Sequence, residues 1–92
     1  MSDRPSAPIA VLDAIFRDDL AYFIKTDRRL ALKIMKLVED VMRDPFEGIG
    51  KPERLRHTAV STWSRRIDQE HRLTYLVEEG RITFLQARFH YK

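Results

Sequence analysis

Glu53, Arg66, Arg72 and His90 are among the side chains of this sequence whose types suit chemistry on a phosphodiester. Cleaving RNA without a metal uses the ribose 2′-OH as nucleophile. That route needs a base to take the hydroxyl proton, an acid to protonate the leaving 5′-oxygen, and cations around the phosphorane. Glu53 is a candidate for the base, His90 for the acid, and the pair Arg66 and Arg72 for the cations. Taken singly, each has an ordinary alternative. A glutamate in a Gly/Pro-rich loop is a solvated charge, a histidine near the chain end decorates a strand, and exposed arginines pair with neighbours such as Asp68 and Glu70.

The elements that must position these residues follow from hydrophobic periodicity. Residues 1–8 read as a loose N-terminal extension, and Ile9, Val11 and Asp13 after Pro8 as a short strand. From Ala14 to Ile24 the apolar residues Ile15, Phe16, Leu20, Phe23 and Ile24 recur at helical spacing. Thr26 and Asp27 break that helix and offer a fresh N-cap. A second helix to about Arg43 places Leu30, Ile34, Leu37, Val38 and Val41 on one stripe, and Pro45 bars its continuation. The stretch Pro45-Phe46-Glu47-Gly48-Ile49-Gly50-Lys51-Pro52 is a loop.

Beyond it the period becomes two. Trp63 and Ile67 alternate with Ser64, Arg66 and Asp68, and Leu73, Tyr75 and Val77 alternate with Arg72, Thr74 and Leu76. Glu79-Gly80 makes a turn, and a last strand from Arg81 to Tyr91 sets Leu85, Ala87 and Phe89 against Phe84, Gln86, Arg88 and His90. The expected fold is α+β, in the order β-α-α-β-β-β, with an antiparallel sheet packed on a helix hairpin. If the apolar parity packs on the helices, the opposite face collects Arg66, Arg72, Arg88 and His90. Arg65 falls on the apolar parity, where it must reach an edge or mark a strand end.

Composition limits the alternatives. A chain of 92 residues holds one core and excludes a multi-domain enzyme. With no cysteine and three scattered histidines, neither a thiolate zinc site nor a cysteine nucleophile is available, and no cofactor or metal is expected. No apolar run is long enough for a membrane span, so the expected location is the cytosol, with no membrane partner. Residues 1–46 carry eight Lys/Arg and eight Asp/Glu, and residues 47–92 carry nine and six, so the whole excess of three lies in the second half. That surplus suits a polyanionic partner, whether RNA, DNA or an acidic protein.

Several motifs in order resemble the YoeB/Txe toxins of the RelE superfamily. They are Lys51-Pro52-Glu53, Leu55, Trp63-Ser64-Arg65-Arg66-Ile67, Glu70-His71-Arg72-Leu73 and Arg88-Phe89-His90-Tyr91, preceded by Thr26-Asp27-Arg28-Arg29 and Pro45-Phe46-Glu47-Gly48. The resemblance spans about residues 9–91, so that 9–92 form the RelE/YoeB-like toxin domain. It implies a ribosome-associated endoribonuclease that cuts translated mRNA, inhibited by a cognate YefM-like antitoxin, with a homodimer as an open option. It also implies Glu53 as general base, His90 as general acid, and Arg66 and Arg72 as phosphate-binding arginines. Lys51, Arg56, Arg88 and Tyr91 are the expected RNA contacts. Arg56 stands where many members carry a lysine; arginine keeps the charge but does not readily transfer a proton. His71 fits the motif, and either a positioning role or none is consistent with it. Two other classes remain open: a gyrase-directed toxin of the ParE kind on the same fold, and a basic RNA-binding module without turnover. The pairing of Glu53 with His90 favours the nuclease.

Overall fold

The computed structural model describes residues 7–56, 58 and 60–89. His57, Ala59, His90, Tyr91 and Lys92 lie outside them, as do residues 1–6 of the N-terminal extension.

Strand β1 (Ile9–Leu12) leads into helix α1 (Ala14–Thr26). Asp13, read above as the end of the strand, is instead the N-cap of α1, its carboxylate accepting from the Ala14 amide at 2.9 Å. Asp27 then ends one helix and caps the next. Its own N–H donates to the Phe23 carbonyl, while its side chain accepts from the Leu30 amide at 3.1 Å at the start of α2 (Arg28–Arg43). The expected stripe on α2 is the buried one: Ile34, Leu37, Val38 and Val41 are buried and Leu30 partly so. On α1, Phe16 and Phe23 are buried, but Ile15 and Ile24 are 60% and 55% exposed, so the apolar stripe is narrower than its composition implies.

The α+β class is as expected, with two differences in the sheet. Strands β2 (Glu53–Arg54), β3 (Ser61–Arg66), β4 (Arg72–Glu78) and β5 (Arg81–Gln86) join β1 in the order β1-β5-β4-β3-β2. β1 pairs parallel with β5, so the sheet is mixed, and β2 is an added edge strand of two residues. Parallel pairing depends on the helical crossover between distant segments, which no local period records.

One more departure re-aims the end of the chain. Thr74 pairs with Gln86 but Tyr75 pairs with Phe84, so Leu85 is an extra residue in β5, a β-bulge. Ile82 and Phe84 therefore face the helices, and after the bulge Ala87 does so too. The expectation that Leu85 and Phe89 pack inward while Phe84 points outward is corrected: Phe84 is fully buried and Phe89 is exposed, beyond the strand.

The core lies between the helix pair and one sheet face, where Phe16, Phe23, Ile34, Leu37, Val41, Ile67, Leu73, Tyr75, Ile82 and Phe84 meet. Among them is Arg65, with no exposed surface. It neither reaches an edge nor ends the strand. Its guanidinium pairs with Asp40 of α2, donates to the carbonyls of Asp44, Glu47 and Ile49, and donates from Nε to Tyr75 Oη at 3.1 Å. Tyr75 in turn donates to the Pro45 carbonyl at 2.6 Å. A buried charge is tolerated because every side of it is partnered, and its three carbonyl partners belong to the loop that leads into β2.

Candidate active site

On the sheet face away from the helices, cross-strand register brings three of the candidate residues together. Glu53 stands opposite Ser64, Ser64 opposite Thr74, and Arg66 opposite Arg72. Side chains at paired positions share a face, so Glu53, Ser64, Arg66 and Arg72 form one patch. Arg72 Nε donates to Ser64 Oγ at 2.6 Å, which fixes its guanidinium and leaves the two terminal nitrogens to meet a ligand. Ser64 is the residue that the sequence reading left unassigned; its parity with Arg66 is the signal that could have found it.

The everyday alternative for the two arginines, pairing with Asp68 and Glu70, is not realised. Asp68 accepts instead from the backbone amides of Glu70 and His71, at 2.8 and 2.7 Å. Burial alone would raise its carboxyl, but those amides, together with His71 and Lys33 nearby, hold it below the ordinary range. Glu70 lies 3.6 Å from His71 Nε2. Among the described residues, neither the Arg66 guanidinium nor the Glu53 carboxylate has a side-chain partner, so the patch presents its charges to whatever binds.

Arg88 is not on this patch, which corrects the strand-parity expectation. The strand ends at Gln86, and the Arg88 guanidinium stacks on Tyr22 of α1, 3.7 Å from the ring centroid, with Phe89 on another side at 4.7 Å. The chain leaves the sheet after the bulge, so alternation no longer decides which way a side chain points. His90 and Tyr91 lie outside the described residues, as does His57. Lys51 and Arg56 are exposed at the two ends of β2.

The loop before β2 is held by Arg65 and by two unusual backbone positions. Gly50 has φ +79°, and its carbonyl accepts from the Arg66 amide at 2.7 Å. A Cβ at position 50 would come within 2.9 Å of the Arg66 carbonyl oxygen, so only glycine fits this approach. Lys51 also takes a left-handed conformation, φ +51°, which a non-glycine residue adopts infrequently and which often accompanies function. Together they bring Glu53 up to β3.

Asp40 carries the electrostatic signature of this arrangement. The Arg65 guanidinium above all, then Arg43 and the Ile49 amide, lower its carboxyl from 3.8 to about 2. The folded state thus prefers the carboxylate more strongly than the unfolded chain does. Its stabilisation is complete above the unfolded value and is lost as the pH falls through about 2. The urea midpoint of the chain should decline between about pH 4 and pH 2, and Asp40→Asn should flatten that decline. An equally steep decline in the variant would assign the acid sensitivity to other carboxylates.

This architecture is shared with solved toxins. It superposes on the YoeB/ParE toxin from Agrobacterium tumefaciens with a TM-score of 0.83 at 41% identity, over 89% of this chain and 98% of that one. YoeB of Staphylococcus aureus has been solved as a dimer, TM-score 0.81 at 33% identity over 92% and 99% of the two chains. It has also been solved as a heterotetrameric YoeB-YefM toxin-antitoxin complex, TM-score 0.79 at 34% identity over 91% and 98%. The fold is thus that of a small bacterial toxin of a type II toxin-antitoxin system. Within that class the chain belongs to the YoeB-like toxins, whose family model matches residues 13–91. Toxin YoeB of Escherichia coli K12 is 47% identical over 74 residues, 80% of this chain and 88% of that protein.

Proposed function

We propose that this toxin is a ribosome-dependent endoribonuclease that cleaves translated mRNA by acid/base catalysis without a metal. The observation that carries the reading is the patch itself: Glu53, Arg66 and Arg72 share a face, with Arg72 aligned by Ser64 and, among the described residues, no carboxylate neutralising either arginine. Glu53 takes the proton from the 2′-OH, the 2′-oxygen bonds to phosphorus, the phosphorus–O5′ bond breaks, and His90 gives its proton to the departing 5′-oxygen. The products are a free 5′-hydroxyl and a 2′,3′-cyclic phosphate, or a 3′-phosphate where water adds to the cyclic phosphorus and releases the 2′-OH. Arg66 and Arg72 stabilise the charge that grows on the non-bridging oxygens. Lys51, Arg56 and Tyr91 hold flanking RNA. Arg88, stacked on α1, contributes from beside the patch by supporting the segment that leads to His90. The expected partners are the ribosome with its mRNA and a YefM-like antitoxin, as in the S. aureus complex, with a homodimer open as in the S. aureus dimer. The cytoplasm, where ribosomes translate, is the corresponding location.

Expression without antitoxin should arrest growth and leave mRNAs cut inside reading frames, with Glu53→Ala relieving both. In purified reactions Arg66→Ala and Arg72→Ala should each remove about 2.7–4 kcal/mol of transition-state stabilisation, as for an oxyanion donor. Lysine at either position should rescue only in part, because the planar fork is lost. Full rescue would make that residue a diffuse phosphate anchor. Growth arrest with intact mRNA and inhibited DNA supercoiling would replace the nuclease by the gyrase-directed reading.

A further inference from the structure

His71 is a buried imidazole, 7% exposed, that the proposed mechanism does not use. Its surroundings give it one polar task. Phe89 donates its backbone N–H to His71 Nδ1 at 2.8 Å, and the Phe89 carbonyl accepts from the backbone N–H of Arg72 at 3.1 Å. One residue of the chain end is therefore gripped on both sides by the consecutive residues His71 and Arg72. A second grip lies just upstream, where Ala87 N–H donates to Asp19 Oδ2 of α1 at 2.9 Å. Phe89 needs such restraint, since its φ of +64° is a conformation that bulky residues rarely adopt.

The two ring nitrogens have different neighbours: Nδ1 accepts from the Phe89 amide, and Nε2 faces Glu70 Oε1 at 3.6 Å. The ring itself is held by edge contact with Phe23, centroids 5.0 Å apart, by Phe89 at 5.7 Å, and by the His71 amide donating to Asp68. Apolar packing alone would be met by a leucine or phenylalanine. An acceptor at this point serves the Phe89 amide.

We propose that His71 is a positioning residue for catalysis: it fixes the Phe89 peptide, one bond before His90, relative to the adjoining Arg72 of the phosphate-binding patch. This rests on the nuclease reading, in which His90 must meet the oxygen leaving a phosphate held by Arg72. A displacement of about 1 Å between such groups is worth about 100-fold in rate.

The test compares His71→Leu, which keeps bulk and loses the acceptor, with His71→Asn, whose Oδ1 occupies the place of Nδ1. Single-turnover mRNA cleavage on programmed ribosomes by His71→Leu should be about 10- to 100-fold slower at saturation, with KM little changed. His71→Asn should recover most of the rate. Backbone order parameters from NMR at Phe89 and at residue 90 should drop in His71→Leu and hold in His71→Asn. Wild-type cleavage by a folded His71→Leu, or equal impairment of both variants, overturns the proposal. If the wild-type chain cleaves nothing, the nuclease reading has failed. The order parameters then still decide the placement, and values unchanged in His71→Leu overturn it.

Discussion

Replacing His90 by alanine or glutamine is expected to slow single-turnover cleavage on programmed ribosomes by about 100- to 10,000-fold, the usual worth of a positioned general acid. The leaving 5′-alkoxide is a strong base, and departure without a proton would put full negative charge on it in the transition state. In the proposed mechanism Arg66 and Arg72 address the non-bridging oxygens and cannot replace that proton, because a guanidinium does not give one up near neutrality. Ribosome binding should change far less, since Arg66, Lys51 and Arg56 remain exposed and Arg72 remains aligned by Ser64. A base that works ionised and an acid that works protonated give a bell-shaped pH dependence; removing His90 should abolish the alkaline limb and leave the acidic one. Removing Glu53 should do the reverse. Near-normal cleavage by both His90 variants, with folding verified, would take the residue out of the mechanism.

Much of this site was legible before any coordinates. The α2 stripe, the break at Thr26-Asp27, the loop from Pro45 and the parity of Arg66 with Arg72 all follow from local periods and breakers, which are properties of neighbouring residues. What local patterns missed depends on pairing between distant segments. Leu85 is an extra residue only with respect to β4, so its bulge is invisible within β5 alone, and the inward and outward sides of Phe84 and Leu85 were exchanged as a result. Arg88 then followed the wrong parity, and its stacking on Tyr22 joins residues far apart in sequence. β2 exists because Gly50, Glu53 and Arg54 reach β3, a consequence of the loop's anchorage and not of strand propensity in two charged residues. Of the expected face of Arg66, Arg72, Arg88 and His90, the two that the structure brings together, Arg66 and Arg72, lie on the β3-β4 side, where register is regular, and β2 adds Glu53 to them.

That anchorage is where the second large effect should appear. Arg65→Met preserves the length of the side-chain stem but removes the guanidinium from a site with no solvent access. Asp40 is left facing the core side of the loop without its main partner, and the carbonyls of Asp44, Glu47 and Ile49 lose their shared donor. Breaking a buried pair by deleting one member costs about 3–5 kcal/mol, a large share of the roughly 5–15 kcal/mol that holds a domain together. Lysine should rescue little, as one ammonium cannot reach acceptors arranged around a planar fork. In urea unfolding, Asp40→Asn combined with Arg65→Met should cost clearly less than the two single effects added, because each removes the same contact. A cost below about 1 kcal/mol for Arg65→Met would mean that desolvation of the guanidinium cancels its hydrogen bonds, as happens at some buried pairs. Activity separates the two possibilities further. If Arg65 organises the loop, Arg65→Met should cleave more slowly even where it is fully folded, because Gly50, Lys51 and Glu53 lose the frame that aligns them with Arg66; stability lost with undiminished cleavage would confine Arg65 to the core.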